Sequence, residues 1–333
     1  MTTRTVDVFL TNQDDVQTSW LADARQVAKR HDIALTEHWA DDAVTQTREI
    51  VQAAWSTTND ALVILAKTPN GPSKLIREAV SRGKSVVLLN RALADMDESA
   101  PWSWPNLRKE FPTVLTATVV ADALHTGRVQ AQQFKTLLPK GGNILYVLGD
   151  PASSDGVERY HGIEELLAND RSFTISIAVG GFREDTAETA CRRWLRTALG
   201  NPGFKLDLVG SQSEVMVPGI RRALQFWAES ASRPDFLQVP MTAVDGTPQY
   251  KQEVDRGLLA ATVETQSRAA AAIELLAKYW YAKAIPPQPI VELPVSSYPS
   301  LERLSGHAVR QPRRATAAAP AREPAPSAIA AAK

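Results

Sequence analysis

The chain has 333 residues, 44% of them hydrophobic, with 37 basic and 37 acidic side chains and one cysteine. Balanced charge gives no electrostatic ground for a nucleic acid or an anionic membrane as partner. The lone Cys191 excludes an internal disulfide and a cysteine-based metal site, and it reads as a buried structural thiol.

Residues 6–10 (Val-Asp-Val-Phe-Leu) read as a first strand. The run is too short for a signal-peptide hydrophobic region and no small-residue cleavage site follows it. No run of about 18 apolar residues occurs, so no membrane-spanning helix is expected. The expectation is a chain without export signal or membrane insertion, cytoplasmic if its sequence is complete.

Residues 19–30 place Leu21, Ala24, Val27 and Ala28 at helical spacing. A polar segment and a helix over 45–55 follow. Residues 61–65 and 85–89 are continuous apolar runs, as expected of strands covered on both faces of a parallel sheet. Between them a helix over 73–82 stops at Gly83. Residues 92–112 break the pattern: they are polar, rich in Trp and Pro, and too long for an ordinary connection. A strand over 114–120 restores it.

From Asp122 the alternation restarts. Helices are predicted over 122–138, 154–168, 186–199 and 215–229, and strands over 143–148, 173–179, 206–209 and 237–239. A long helix covers 266–282. Alternating strands and helices imply parallel sheets flanked by helices, and two such series imply two lobes. From about residue 300 the composition shifts to Ala, Pro and Arg without periodicity, so 300–333 reads as a disordered tail. No repeat with a period of 20–50 residues is found.

Several motifs follow one another in a recognisable order. The first runs Gly83-Lys84-Ser85-Val86-Val87-Leu88-Leu89-Asn90-Arg91. Asp122 and Gly127 come next, then Leu148-Gly149 followed by Arg159 and Gly162. The last two are Val244-Asp245-Gly246-Thr247-Pro248 and Gly257-Leu258-Leu259-Ala260-Ala261-Thr262-Val263. In these the chain resembles the type I periplasmic sugar-binding proteins, the group that includes ribose-binding proteins. The effector-binding domains of lac-repressor-type regulators share their fold.

The resemblance covers roughly residues 5–295. It implies an α/β protein of two Rossmann-like lobes joined by a three-strand hinge. The first lobe would comprise 1–119 with 267–288, carrying 92–112 as an insertion. The second would comprise 120–266 with 289–298.

In an open α/β sheet, ligands bind beyond the carboxyl ends of the strands. Asn90, Arg91, Gly149 and Asp245 all follow predicted strands. Arg offers a fork of donors and Asp accepts from vicinal hydroxyls, which suits a sugar. The resemblance therefore implies ligand contacts from Asn90 and Arg91 in one lobe and from Arg159 and Asp245 in the other. Without it, Asn90 reads equally as a strand-end turn former, Arg159 as a solvated helix charge, and Asp245 as a turn residue.

The chain departs from the family at four cleft positions. The first loop runs from Asn12 through Asp14 to Gln17 with no aromatic before Trp20. The family's Gln-Asn-Asp is Gln212-Ser213-Glu214. Its hinge Gln falls at Thr265, with Gln266 one step on, and its Asp-Arg is Asn90-Arg91. Asp14, Gln17, Ser213, Thr265 and Gln266 thus complete the expected ligand set. Trp20, Trp102 and Trp104 are candidates for an aromatic wall. The alternative for Trp102 and Trp104 is a surface insertion packing its own tryptophans.

Signatures of catalysis are missing. There is no Gly-x-Ser-x-Gly, His-Glu-x-x-His or phosphate-binding Gly-x-x-x-x-Gly-Lys-Ser/Thr. His31, His38, His125, His161 and His307 have no ligand spacing, and the Asp14-Asp15 and Asp41-Asp42 pairs read as solvated loop charges. No residues before the first strand could form a DNA-binding head.

The expected function is reversible capture of a small polar ligand, a carbohydrate or polyol, as the substrate-binding component of an ABC-type transport system. Partners would be that ligand and the transporter's membrane subunits or a sensor protein, with the chain acting as a monomer. Neither a catalytic residue nor a metal or other cofactor is expected. The family resemblance implies the periplasm or cell envelope. The alternative is a cytoplasmic effector-binding or sensory protein of the same fold, and a more distant one is an enzyme with unmarked chemistry.

Overall fold

A computed structural model describes residues 3–68, 73–90, 99–201 and 203–307. The chain opens with β1 (Arg4–Leu10), α1 (Asp15–Arg30), β2 (Ile33–Trp39), α2 (Ala43–Trp55) and β3 (Ala61–Ile64). Next come α3 (Ser73–Ser81), β4 (Ser85–Leu89), α4 (Trp104–Glu110) and β5 (Thr116–Ala121). A second series follows: α5 (Ala123–Leu137), β6 (Gly142–Leu148), α6 (Ser154–Leu167), β7 (Phe173–Val179), α7 (Glu184–Ala198) and β8 (Leu208–Ser211). It continues through α8 (Val217–Ser230), β9 (Met241–Asp245), α9 (Pro248–Asp255) and β10 (Ala261–Thr265). The chain then runs through α10 (Arg268–Ala282), β11 (Ile290–Leu293), β12 (Val295–Tyr298) and α11 (Leu301–His307).

The strands form two six-stranded sheets, ordered β11-β5-β4-β3-β1-β2 and β12-β10-β9-β8-β6-β7. The first is parallel throughout its described pairs. In the second, β12 runs antiparallel to β10. The chain passes between the sheets after β5, after β10 and between β11 and β12, which makes the three-strand hinge.

Continuous apolar runs work here because side chains alternate across a strand and both faces are covered. Val6, Val8 and Leu10 of β1 pack with Ala61 and Val63 of β3 and Val87 of β4 under α1 and α10. Phe9, Leu62, Ile64, Val86 and Leu88 point the other way, onto α2, α3 and α4. The second sheet repeats the scheme: Leu145 and Val147 face α7 and α8, while Ile144 and Tyr146 face α5 and α6. Each lobe is thus a helix–sheet–helix sandwich with its strand ends directed at the other lobe.

Four predicted assignments need correction. Residues 289–298 do not belong wholly to the second lobe: β11 pairs with β5 of the first sheet and β12 with β10 of the second. The 92–112 stretch is not a self-packed surface insertion in its described part. It forms α4, entered through Pro105 in the first turn, where a missing N–H costs nothing. Trp104 and Leu107 are core residues there, and Trp104 Nε1 donates to Thr118 Oγ1 at 2.7 Å. The tail begins ordered, because α11 packs on α5 with Leu304 buried. Residues beyond 307 lie outside the described part. The strand predicted at 237–239 is a short 3-10 turn, and β9 starts at Met241 instead.

Candidate functional site

The strand ends of both sheets converge on a cavity of about 380 Å³ between the lobes. From the first lobe come Thr11, Asn12, Asp14, Gln17 and Trp20 after β1, Lys67 after β3 and Asn90 after β4. From the second come Asp150, Asp155 and Arg159 after β6, Phe182 and Arg183 after β7, Ser213 after β8 and Asp245 at the end of β9. Arg268, the first residue of α10, reaches in from the hinge.

The first-lobe wall is held by its own hydrogen bonds. Asp14 caps α1, accepting from Gln17 N at 2.8 Å and Gln17 Nε2 at 3.1 Å. Gln17 Oε1 in turn accepts from Thr11 N at 2.9 Å and Asn12 N at 3.2 Å. Lys67 Nζ donates to the Thr11 carbonyl and to Asn12 Oδ1. Asn90 differs: it sits at φ 72°, a conformation that asparagine tolerates better than most residues. Its Oδ1 is buried with no hydrogen-bond partner among the described residues. Arg91, its expected companion, lies outside the described residues.

The second-lobe wall rests on buried polar anchors. Gln212 Oε1 accepts from Gly149 N at 2.7 Å, and its Nε2 donates to the Gly156 carbonyl at 2.8 Å, tying the β6 turn to α6. Arg159 Nη1 donates to the Gln212 carbonyl. Asp245 Oδ2 accepts from Ser213 Oγ at 2.7 Å and Glu214 N at 3.2 Å. Asp245 (φ 132°) and Phe182 (φ 57°) hold backbone conformations that L-residues rarely adopt, a kind of strain that gathers at functional sites. The Phe182 ring lies so close to Gly149 that a Cβ there would fall 2.0 Å from it.

Glu214 lies behind the cleft. Its carboxylate accepts from Gly246 N at 2.8 Å, Thr247 N at 3.0 Å, Thr247 Oγ1 at 2.6 Å and Thr262 Oγ1 at 2.7 Å, clamping the turn that carries Asp245. Burial, with Asp245 next to it, pushes the Glu214 carboxyl up to about 8. Burial also raises Asp245, against the opposing pull of Arg159, Ser213 and Arg268. Asp14 is raised by burial and, to a lesser degree, by Asp245 across the cleft.

Two site residues were not legible in the sequence. Arg268 is 2% exposed, its guanidinium centred 4.6 Å from the Trp20 ring, and its Nε and Nη1 have no partner among the described residues. Its signal is a charge placed directly before four alanines at the start of a helix just past the hinge. Phe182 supplies the second aromatic face, with the Arg159 guanidinium 5.9 Å from its ring centre. Its signal is Gly180-Gly181 ending a strand, which marks a turn at the carboxyl edge of the sheet.

Other expected residues fall elsewhere. Thr265 does not line the cleft; its Oγ1 donates to the Asp245 carbonyl from beneath. Gln266 is exposed and turns onto a different groove, between α1 and α10. Trp104 is spent in the core, and the Trp102 ring lies 5.8 Å from Lys74 Nζ and is no part of the cavity wall. Trp20 does line it.

The cleft thus offers donors, acceptors and two aromatic faces. Cys191 lies in the second lobe's core, where burial pushes its thiol up to about 12. Among the described residues no group of His, Cys, Asp and Glu could hold a metal ion, and no helix is long and apolar enough to cross a membrane.

Comparison with curated protein sequences finds no match. Among solved structures, a galactofuranose binding protein superposes with a TM-score of 0.72 at 18% identity, over 92% of this chain and 99% of that one. An ABC transporter periplasmic solute binding protein from Actinobacillus succinogenes, with bound D-allose, gives 0.72 at 18% identity over 91% and 99%. The Caulobacter myo-inositol binding protein gives 0.70 at 17% identity over 90% and 95%. At such identities these likenesses establish the fold. A model of the periplasmic binding protein domain matches residues 7–284, and the chain belongs to that family.

Proposed function

We propose that the protein reversibly binds a carbohydrate or polyol between its lobes, as the substrate-binding component of an ABC-type transport system. The observation that carries this reading is the cleft itself: strand ends of both lobes present buried polar groups and two aromatic faces around a hinged cavity of about 380 Å³. That volume lies within the usual range for small-molecule sites. Asp245 and Asn90 accept from ligand hydroxyls, Arg159 and Arg268 donate to ligand oxygens, and the lobes close about the three crossings.

Structural neighbours binding galactofuranose, D-allose and myo-inositol support the ligand class. A sensor as partner has support from the fructose binding periplasmic domain of a hybrid two component system, at a TM-score of 0.70. Cell-envelope placement follows from the same family. The cleft reads as a binding site without chemistry on its ligand.

Isothermal titration against pentoses, hexoses, inositols and their acids tests the reading. The expected result is saturable one-to-one binding that weakens in Asn90→Ala and Asp245→Ala. Binding that both variants leave intact would place the site elsewhere, and turnover of any ligand would overturn the non-enzymatic reading.

A further inference from the structure

We infer that the ligand carries a carboxylate beside its hydroxyls, so that the cleft selects sugar acids, with Arg268 and Arg159 receiving the acid group. This deepens the carbohydrate reading and rests on it.

The inference starts from unmatched hydrogen-bonding groups. Arg159 and Arg268 are 5% and 2% exposed and both line the cavity. Arg159 Nε and Arg268 Nε and Nη1 are buried without a partner among the described residues. A buried guanidinium with unused donors is costly, and the cost is recovered only if something brings acceptors to it. The Trp20 ring holds the Arg268 guanidinium by its face, which leaves the in-plane N–H groups for a ligand.

Charge then decides what kind of acceptor fits. Eight charged side chains line the cavity: Asp14, Asp150, Asp155 and Asp245 against Lys67, Arg159, Arg183 and Arg268. Most are engaged within their own loops. Asp14 caps α1, Asp150 accepts from Ala152 N, Lys67 serves Thr11 and Asn12, and Arg183 pairs with Asp185. Asp155, half-exposed, is the charge that acts most on Arg268.

The lining is balanced in formal charge, yet Asp245 is already bonded to Ser213 and Glu214 N and leaves donors of Arg159 and Arg268 unmet among the described residues. Burial brings Arg268 down only to about 10, so it stays charged at neutral pH. Three buried donor nitrogens on two guanidinium groups, without a partner among the described residues, are the complement of a carboxylate, whose two oxygens accept charge-assisted bonds. A hydroxyl supplies a neutral acceptor, which makes the weaker bond to a guanidinium. The Asn90 Oδ1 on the opposite wall, without a partner among the described residues, takes a donor from a ligand hydroxyl.

Isothermal titration of the full chain at pH 7.5 tests this with matched probes: hexuronates such as D-galacturonate and D-glucuronate, their methyl esters and the parent hexoses, alongside D-gluconate and glucitol. The expected result is that at least one acid binds ten-fold or more tighter than its neutral counterpart. In Arg268→Gln that preference shrinks toward unity, and Arg268→Lys restores part of it. Neutral members binding as tightly as the acids would overturn the acid assignment and leave the carbohydrate reading standing. If no member of the sugar and polyol panel binds, both fall. If Arg268→Gln does not fold, the acid-to-neutral ratio of the unaltered protein decides alone.

Discussion

The two walls of the cleft are built on different principles. In the first lobe, side chains that reach the cavity are largely consumed by their own loop: Asp14, Gln17 and Lys67 bond to neighbouring backbone and side chains. In the second lobe the holding work is done behind the wall by Gln212 and Glu214, and Arg159, which lines the cavity, keeps a buried donor without a partner among the described residues. Arg268 at the hinge does the same. The difference teaches that lining a cavity and being available to a ligand are separate properties. Gln17 shapes the pocket, whereas in the proposed reading Asp245 and Arg268 contact what enters it.

The largest expected break in this contrast is Asp245→Ala. Removing a buried acceptor in the field of Arg159 and Arg268 should weaken ligand binding by about 2–5 kcal/mol, read as a rise in Kd by titration calorimetry. An unchanged Kd would demote Asp245 to a turn residue.

Gly149→Ala attacks the support for Phe182. The added Cβ meets the ring at 2.0 Å, so the ring or the β6 turn must move. Urea unfolding should report a loss of about 1–3 kcal/mol, the usual cost of overpacking, together with weaker ligand binding. Lost stability with full affinity would show that Phe182 is not part of the binding surface.

The Glu214 clamp should appear as pH dependence. Its carboxyl moves from 4.5 up to about 8 on folding, so between those values the folded state binds more protons than the unfolded one. Stability contributed by this group is present below about 4.5 and lost as pH rises through about 8. Urea midpoints measured from pH 5 to 9 should fall with this slope, and Glu214→Gln should flatten it. A slope that survives the substitution would assign it to other groups.

The smallest effect is expected at Gln17→Ala. Its hydrogen bonds are internal to the β1–α1 loop, so about 1 kcal/mol of stability should go, with little change in ligand affinity. A ten-fold loss of affinity at unchanged stability would move Gln17 to the ligand-contacting class.

Much of the fold was legible because its signals are local. The apolar runs at 61–65 and 85–89 can only be strands covered on both faces, and the order of turn motifs fixed their succession. The failures are also physical. Trp102, Trp104 and Pro105 have the composition of a loop, yet Pro105 opens α4 and Trp104 finds Thr118 as partner. Leu237 and Val239 suggested a strand where the chain makes a 3-10 turn before β9.

In the site, Asn90 and Asp245 line the cleft at strand ends, and Asp14, Arg159 and Ser213, expected from the family resemblance, line it too. Thr265 and Gln266 differ because one residue along the hinge turns the side chain from beneath Asp245 to an outer groove. Arg268 and Phe182 gain their meaning only from Trp20 and Gly149, which are distant in sequence.

The most direct test is a crystal structure of the protein with a bound carbohydrate or sugar acid. The account predicts the ligand between the lobes, bonded to Asp245 and Asn90, with Arg268 and Arg159 on its oxygens. A ligand seated instead in the groove between α1 and α10, beside Gln266 and Glu274, would contradict it.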